Sequence, residues 1–360
     1  MAETRRLRGH KAAATCCIAS RSRPGLIATA AEDGNVCWFD MRCKDAIFTM
    51  DVANHNPISS ICFKPGNEDI IYASSGNEVK CFEVNMGNSS KQLESYNYNK
   101  DEINQIDCTV NSSFLAAADD SGDVKIVDIR QQCLYKTLRS GHTSICSSVQ
   151  FVPWRPWQVV TGGLDSKLVV WDYSKGRPQK IVDFGMPDAS NEEKTVQCLN
   201  PAFAHALALP EVDMVDKVGK ICLAARGDGV VDILNIDSDL NSSSKSKRSS
   251  NKPKDTSQGQ NWRLDHTLGG HTAAVSCVAF SVFGGEKGKF IISGGNDKQV
   301  RVWDWTKLFT GDGTNTSSND LLNLQLNLRR KVNWLCTAPT DSDNLVVCDT
   351  SKVVKVYTIA

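Results

Sequence analysis

The stretch Gly141–Asp172, GHTSICSSVQFVPWRPWQVVTGGLDSKLVVWD, is the most complete copy of a unit that recurs along the chain. It begins with Gly-His and ends with Trp-Asp; His142 precedes Asp165 by 23 residues, and Asp165 precedes Trp171 by six. These spacings recur in His10, Asp33 and Phe39, in His205, Asp228 and Leu234, and, with the first interval lengthened to 26, in His271, Asp297 and Trp303. Four copies in register indicate an internal repeat.

The closing residues give the length of the repeat. Asp40, Asp128 and Asp172 are separated by 88 and 44 residues, and Asp304 lies 132 residues beyond Asp172. A period of about 44 residues with Gly-His and Trp-Asp signatures resembles the WD40 repeat, in which each unit forms a four-stranded propeller blade. The resemblance implies an all-β protein folded as a seven-bladed WD40 propeller.

The predicted propeller is a single domain over residues 1–360. We expect the N-terminal strand 4–8 to complete the last blade, because a ring of sheets would otherwise leave open edges. A serine- and lysine-rich segment, 238–261, interrupts blade 5, and a polar loop, 310–320, interrupts blade 6; neither composition supports a core. The predicted blades span about 9–52, 53–98, 99–139, 140–185, 197–269, 270–328 and 329–360.

Polar residues at fixed repeat positions are expected to hold each blade together. By resemblance to WD40 proteins, the opening His, a Thr or Ser of the second strand, the Asp of the next turn and the closing Trp form a hydrogen-bonded chain. The residues assigned to it are His10, Thr29, Asp33, His142, Thr161, Asp165, Trp171, His205, Asp228, His271, Ser293, Asp297 and Trp303. This structural role accounts for these histidines without catalysis or metal binding.

The composition argues against several function classes. With 41 basic and 41 acidic side chains, the chain has no net charge to attract nucleic acid or an anionic membrane. No apolar run reaches the roughly 18 residues of a membrane span, and the N-terminus lacks an apolar signal core. We therefore expect an intracellular protein, cytoplasmic or nuclear, that is not secreted. The 14 cysteines include no C-x-x-C pair, which favours buried thiols over disulfides or a metal site.

The sequence shows no catalytic constellation. It contains no Walker-type phosphate loop and no Gly-x-Ser-x-Gly nucleophile motif, and its carboxylates are scattered through turns, where Asp is a common turn former. We expect a non-enzymatic protein-interaction scaffold without a cofactor or metal and without an obligate homo-oligomer.

Two segments carry the sharper functional signal. Residues 27–42, IATAAEDGNVCWFDMR, end in Asp40 and Arg42, and residues 115–130, LAAADDSGDVKIVDIR, end in Asp128 and Arg130. The pattern resembles the sixteen-residue box of WD40 proteins that dock on damage-specific DNA-binding protein 1, the adaptor of cullin-4 RING ubiquitin ligases. The resemblance implies that both arginines lie on the face opposite the opening histidines, where a guanidinium can bind a partner's carboxylates or carbonyls. Alternatively, each Arg pairs with a neighbouring loop of its own chain.

The same face is expected to carry the hairpin 152–157, VPWRPW. Trp154, Arg155 and Trp157, held between prolines, have the composition of a binding interface. The alternative is that one Trp packs beneath the loop, and we expect one Trp to be buried and one exposed.

Several strings exceed what the generic repeat demands. They are ADDSG at 118–122, SICSSV at 144–149, LNPA at 199–202 and KVNWL at 331–335. By these strings, in order over nearly the whole chain, the sequence resembles the WD repeat-containing protein 53 family. The resemblance implies a candidate substrate receptor that docks on the cullin-4 adaptor and presents a protein substrate or peptide, so far unidentified. The alternative is a ligase-independent WD40 scaffold or a reader of peptides such as histone tails.

Overall fold

The computed structural model describes residues 3–85, 89–186, 198–237, 261–283, 286–310, 321–338 and 344–359. In these residues, strands assemble into seven four-stranded antiparallel sheets, which confirms the predicted seven-bladed propeller. The predicted insertions lie outside the described residues, except for Asn261 of 238–261 and Thr310 of 310–320.

Each of the first six blades runs outward from the propeller axis in chain order. Blades 1 to 3 contain β2 Ala14–Ala19, β3 Leu26–Ala31, β4 Asn35–Asp40 and β5 Phe48–Asp51; β6 Ser60–Lys64, β7 Asn67–Ser75, β8 Glu78–Asn85 and β9 Ser89–Tyr96; and β10 Ile103–Cys108, β11 Phe114–Asp119, β12 Val124–Asp128 and β13 Cys133–Leu138. Blades 4 to 6 contain β14 Cys146–Phe151, β15 Gln158–Gly163, β16 Lys167–Asp172 and β17 Arg177–Asp183; β18 Ala204–Ala208, β19 Ile221–Arg226, β20 Val231–Asn235 and β21 Trp262–Leu264; and β22 Val275–Phe280, β23 Phe290–Gly295, β24 Gln299–Asp304 and β25 Leu322–Asn327.

The last blade is closed by the N-terminus, as predicted. It contains β26 Val332–Ala338, β27 Asn344–Asp349 and β28 Val353–Thr358, and its outer strand is β1, Glu3–Arg8. Strand β1 pairs antiparallel with β28, with Leu7 opposite Val354. Leu7 is buried between blades 7 and 1, so closure adds apolar burial as well as backbone hydrogen bonds.

The core lies between blades, which explains the apolar pattern of the strands. Strands β3 and β15 are buried at every position because neighbouring blades cover both faces of each sheet. The outer strand β25 instead alternates between half-buried and exposed residues. Trp171 packs with residues of blades 3 and 4 in one such interblade cluster.

A recurring bulge in the innermost strand links neighbouring blades. At this position the side chain donates a hydrogen bond to the innermost segment of the next blade, around the propeller axis. The five described links are Thr15 Oγ1 to Ile58 O (2.6 Å), Asn104 Nδ2 to Cys146 O (3.2 Å), Ser147 Oγ to Ala204 O, Ser276 Oγ to Val332 O (2.7 Å) and Asn333 Nδ2 to Ala14 O (2.8 Å). The fifth link joins the last blade to the first.

Short helical segments, which the sequence analysis did not predict, occur in three connections. The first hairpin of blade 5 contains the 3₁₀ turn Val212–Met214 and the helix α1, Val215–Val218; Met214 and Val218 are buried in the core. The 3₁₀ turn His266–Leu268 follows β21, and the helix α2, Lys307–Thr310, follows β24. None of the described helices has the length and apolar character needed to cross a membrane.

Candidate functional site

The propeller has two faces with different chemistry. The histidine face carries the blade openings, including His10, His142 and His271, and the turns between second and third strands. The box face, opposite, carries the first hairpins and the residues that follow the third strands. On the box face, the residue after the third strand bonds to the first hairpin of its own blade: Met41 N to Gly25 O (2.9 Å), Ile129 N to Ser113 O (3.0 Å) and Tyr173 N to Trp157 O (2.9 Å).

Blade 4 contains the full hydrogen-bonded chain on the histidine face. His142 Nδ1 lies 3.0 Å from Asp165 Oδ1, and His142 Nε2 lies 2.7 Å from Thr161 Oγ1. Trp171 Nε1 donates to the same hydroxyl over 2.9 Å. Because an ionised Asp can only accept, His142 Nδ1 donates to Asp165.

Blades 1 and 6 keep the contacts of the His but lack the Trp hydrogen bond. In blade 1, His10 contacts Thr29 at 2.7 Å and Asp33 at 3.4 Å, with Phe39 in the Trp position. In blade 6, the distances from His271 are 2.6 Å to Ser293 Oγ and 2.9 Å to Asp297 Oδ1. Trp303 Nε1 has no hydrogen-bond partner among the described residues.

The residue at the end of the second strand controls the His-Asp distance. A Cβ added at Gly163 would lie 2.4 Å from His142 Nδ1, and one at Gly295 would lie 2.7 Å from His271 Nδ1. Blade 1 has Ala31 at this position, and there the His-Asp distance lengthens to 3.4 Å. A close His-Asp pair therefore requires glycine.

Blade 5 does not contain the predicted pair of His205 and Asp228. His205 occupies the bulge of β18, five residues beyond the blade-opening position, and makes no described hydrogen bond to Asp228. From the bulge to the end of the second strand, blade 5 is five residues longer than blade 4. The 23-residue spacing between His205 and Asp228 is therefore kept, although the two side chains are not paired. Arg226 stands where blade 1 has Ala31 and blades 4 and 6 have glycine. Its guanidinium binds Asp228 and, over 2.7 Å, Asp232.

Blade 3 has a substitute chain that the sequence analysis missed. Asn99 stands four residues before β10, as His142 does before β14, and its Nδ2 donates to Asp119 Oδ2 over 2.8 Å. Asp119, at the position of Gly163, is buried and also accepts from the hydroxyl of Ser121. The position four residues before the first strand, rather than the presence of His, identifies this group.

Burial and hydrogen bonding shift the pKa of His271 and of Asp165. Burial lowers the pKa of His271 despite the opposing effect of Asp297, so the imidazole is neutral at pH 7. Burial alone would raise the pKa of Asp165, but hydrogen bonds from His142 and from the N–H of Thr143 lower it below its ordinary value. The His and Asp side chains of these chains already hydrogen-bond to each other within their blades, so their polar atoms are occupied.

The blade 1 box holds its arginine in a local ion pair. Arg42 Nε lies 2.9 Å from Asp40 Oδ1 and Arg42 Nη2 lies 2.6 Å from Asp40 Oδ2, while 85% of the Arg42 side chain remains exposed. The hydrogen bonds from Arg42 lower the pKa of Asp40. The guanidinium is thus oriented on the box face with two of its donors already used.

The blade 3 box leaves its arginine free. Asp128 Oδ1 accepts from the backbone N–H groups of Arg130 and Gln131, each over 2.9 Å, which fixes the loop. The exposed side chain of Arg130 forms no ion pair or side-chain hydrogen bond with any described residue. The two boxes therefore differ: Arg42 is paired in advance, and Arg130 offers its whole guanidinium.

The hairpin 152–157 exposes one tryptophan and half-buries the other. Trp154 packs between blades 4 and 5, and its Nε1 is buried without a described hydrogen-bond partner. Trp157 is 44% exposed and adopts a left-handed backbone with φ of 71°. Such a conformation is strained for a bulky residue and costs of order 1–3 kcal/mol. We expected one buried and one exposed Trp; Trp157 is exposed, but Trp154 is only half-buried.

Trp157 belongs to an aromatic cluster across blades 3 and 4. Its ring centroid lies 5.7 Å from that of Phe114 and 5.5 Å from that of Tyr173, and Tyr135 lies 5.0 Å from Phe114. Beside it a groove of about 590 Å³ is lined by Val110, the hairpin 152–157, Phe114 and Tyr173. Val110 and Tyr135 are exposed, so the box face here is apolar as well as rigid.

Arg155 is engaged within the chain. Its Nη2 lies 3.1 Å from Asp237 Oδ2 of blade 5, and Lys220 shares that carboxylate at 3.3 Å. This ion pair joins blades 4 and 5, so Arg155 positions the hairpin rather than standing free beside it.

The described residues contain no group of three or more His, Cys, Asp or Glu side chains able to hold a metal ion. All 14 cysteines are free, and nine of them are buried. Burial raises the pKa of the Cys37 thiol to about 11, so this side chain behaves as an apolar core residue at neutral pH.

Comparison with known proteins agrees with the geometry. Residues 1–40, 132–172 and 262–304 match the WD domain, G-beta repeat. Each matched segment ends at the last residue of a third strand, in blades 1, 4 and 6. These are the blades in which the described residues form a His-Asp pair. The chain is 26% identical to the WD repeat-containing protein 53 homolog of Dictyostelium discoideum, over 98% of this chain and 94% of that protein. It is 27% identical to the nucleoporin Nup43 of Homo sapiens over 50% of this chain and 47% of Nup43. Identity to the GATOR2 complex protein WDR24 of Danio rerio is 24%, over 43% of this chain and 20% of WDR24.

Proposed function

Since this chain is a WD40-repeat protein of the WD repeat-containing protein 53 family, we propose that it is a substrate receptor of a cullin-4 RING ubiquitin ligase. Its box face docks on damage-specific DNA-binding protein 1, and its histidine face presents a protein substrate. WD40 propellers are generally non-enzymatic scaffolds for protein partners, and this chain acts in the same way, in the cytoplasm or nucleus.

One observation carries the proposal: the free guanidinium of Arg130 and the aromatic groove lie on the same face of adjacent blades. Ile129 N bonds to Ser113 O in the first hairpin of blade 3, and Phe114, the next residue, lines the groove. An exposed cation beside a rigid apolar cleft matches the Arg- and Trp-rich centres of protein interfaces. Arg42 provides a second contact on this face, two blades away.

The groove is suited to an apolar side chain of the adaptor. Its rings come from four elements and pack on one another, so little conformational entropy is lost when a partner binds. The strain at Trp157 is maintained by this packing. Arg155, through its pair with Asp237, holds the hairpin at the edge of the groove.

The proposed mechanism is positional. The chain contributes no chemical step; it raises the effective concentration of substrate lysines near the ubiquitin-conjugating enzyme recruited by the ligase. Three of the blades that connect the two faces are reinforced by His-Asp chains, which keeps the geometry of the bridge fixed.

Co-purification with the adaptor from cells tests the proposal. Arg130→Ala should lower recovery of the adaptor more than Arg42→Ala, because Arg42 already shares its donors with Asp40. Arg177→Ala, an exposed arginine on the outer strand of blade 4, is the matched control and should bind like wild type. Failure of the folded wild-type protein to recover the adaptor, where another receptor does, would leave a ligase-independent WD40 scaffold or peptide reader.

A further inference from the structure

A strip of cations on the histidine face has no role in docking through the box face. It follows the top of blades 6, 7 and 1, where the chain turns between strands. This basic arc consists of six exposed residues: Lys11, Lys298, Arg329, Arg330, Lys331 and Lys352.

The backbone holds the arc together across three blades. One side chain contributes: Arg330 Nη1 donates to Thr350 O over 3.2 Å, at the turn that precedes Lys352. The backbone links are Leu328 N to Lys298 O (2.8 Å), Thr350 N to Lys331 O (3.1 Å) and Ala14 N to Ser351 O (3.3 Å). The cations are therefore mounted on loops of fixed relative position.

Acidic residues in the same turns do not neutralise the arc. Asp297 is 4% exposed and bound to His271, and Asp349 is fully buried and bound to Lys355. Among the described residues, none of the six cations forms an ion pair. Glu32 is an exposed carboxylate at the blade 1 end of the arc.

The opening of blade 3, across this face, has the opposite balance, with three exposed acidic side chains beside the exposed Lys100. Around the opening of blade 3, Asp101, Glu102 and Asp120 are exposed, and Asp120 is held by Asn104 Nδ2 at 2.8 Å. Since the whole chain has zero net charge, the arc is a local feature and not a consequence of a basic protein. Arg329, Arg330 and Lys331 are consecutive in the chain, so their like charges repel one another, and a bound anion relieves that repulsion.

We propose that the basic arc binds an acidic segment of a partner protein, rich in Asp or Glu, across blades 6, 7 and 1. A nucleic acid fits less well, because the stretches 10–14, 296–299, 328–333 and 349–353 contain no Phe, Tyr or Trp on which bases could stack. A membrane also fits less well, because none of the exposed large hydrophobic side chains of the described residues lies in these stretches. The inference stands whether or not the box face binds the adaptor.

Fluorescence anisotropy with a labelled peptide of about ten glutamates, extended over roughly 30 Å, is the test. The arc variant is Arg329→Glu, Arg330→Glu and Lys331→Glu combined. The control variant combines Lys44→Glu, Lys91→Glu and Arg177→Glu, three exposed cations outside the arc, and changes the net charge equally. A second arc variant with Gln at the same three positions avoids like-charge strain, and thermal unfolding checks the fold of all three.

Binding at about 50 mM salt should weaken at least about tenfold in the glutamate arc variant and less in the glutamine variant, while the control stays within about threefold of wild type. No binding by wild type, or equal weakening in arc and control variants, overturns the inference. Tighter binding to a single-stranded oligonucleotide or to phosphatidylserine vesicles than to the peptide would assign the arc to that class instead.

Discussion

Adding a single methyl group at Gly163 should loosen the polar chain of blade 4. The Cβ of Gly163→Ala would lie 2.4 Å from His142 Nδ1 and 2.6 Å from Asp165 Oδ1, two atoms that are now 3.0 Å apart and hydrogen-bonded. Both contacts are too short, so the pair must separate. Blade 1 shows the result, because Ala31 at the same position accompanies a His-Asp distance of 3.4 Å.

The expected loss follows from two opposing effects. Weakening a buried hydrogen bond to a charged group costs about 1.5–3 kcal/mol. Replacing glycine within a strand recovers about 0.5–1 kcal/mol of conformational entropy. The free energy of unfolding should therefore fall by about 0.5–2.5 kcal/mol, the difference between these two effects.

Urea denaturation of wild type and Gly163→Ala measures the loss of stability, and Ala31→Gly is the reciprocal control. In that variant a shorter His10–Asp33 bond offsets the entropic cost of the new glycine, so stability should change by less than about 0.5 kcal/mol. A Gly163→Ala protein as stable as wild type, or more stable, would refute the claim that the glycine is required by the His-Asp pair.

Three further predictions concern other parts of the propeller. Asn333→Ala removes the bulge hydrogen bond to Ala14 O at the closure of the ring and should lower the free energy of unfolding by about 1 kcal/mol in urea; an unchanged midpoint would contradict this. Burial raises the pKa of Asp107 to about 7, above its ordinary 3.8, so its stabilising protonated form is lost as the pH rises from about 4 through 7. The stability of Asp107→Asn relative to wild type should therefore increase as the pH rises from about 5 to 8. Parallel profiles of stability against pH for the two proteins would contradict this. Trp157→Gly should be more stable than Trp157→Ala by about 1 kcal/mol, because glycine tolerates the left-handed backbone; equal midpoints would show that the strain is absent.

The fold could be predicted because its repeat signals are local. The third strands of blades 1, 3, 4 and 6 end at an Asp, at multiples of 44 residues, and Gly-His openings mark three blades, so the number of blades and the closing role of 4–8 followed from counting. The seven sheets and the pairing of β1 with β28 confirm these predictions. Short helices in the first hairpin of blade 5 have no repeat signal, and they were missed.

The same counting failed where two changes in length cancelled. In blade 5 a longer first hairpin shifted His205 into the bulge while preserving its distance to Asp228 in sequence. Arg226 at the glycine position was the available warning, because a side chain there excludes the close pair. Asn99 was missed for the converse reason: its amide replaces imidazole without any His in the sequence.

The two arginine boxes were identified in sequence, but their difference was not. Both end in Asp-x-Arg, yet in one the carboxylate binds the guanidinium and in the other it binds backbone N–H groups. Side-chain rotation decides between these arrangements, and the identity of the three residues does not encode it. The roles of Arg42 and Arg130 in binding stay predictions.

Affinity between the purified protein and purified damage-specific DNA-binding protein 1 tests the central claim most directly. Wild type and the Arg177→Ala control should bind alike, and Arg130→Ala should weaken binding by about 1–3 kcal/mol, roughly 5- to 150-fold, because it removes an exposed, unshared guanidinium. Wild-type binding unaffected by Arg130→Ala would contradict docking through the blade 3 box, and no wild-type binding would contradict the receptor function itself.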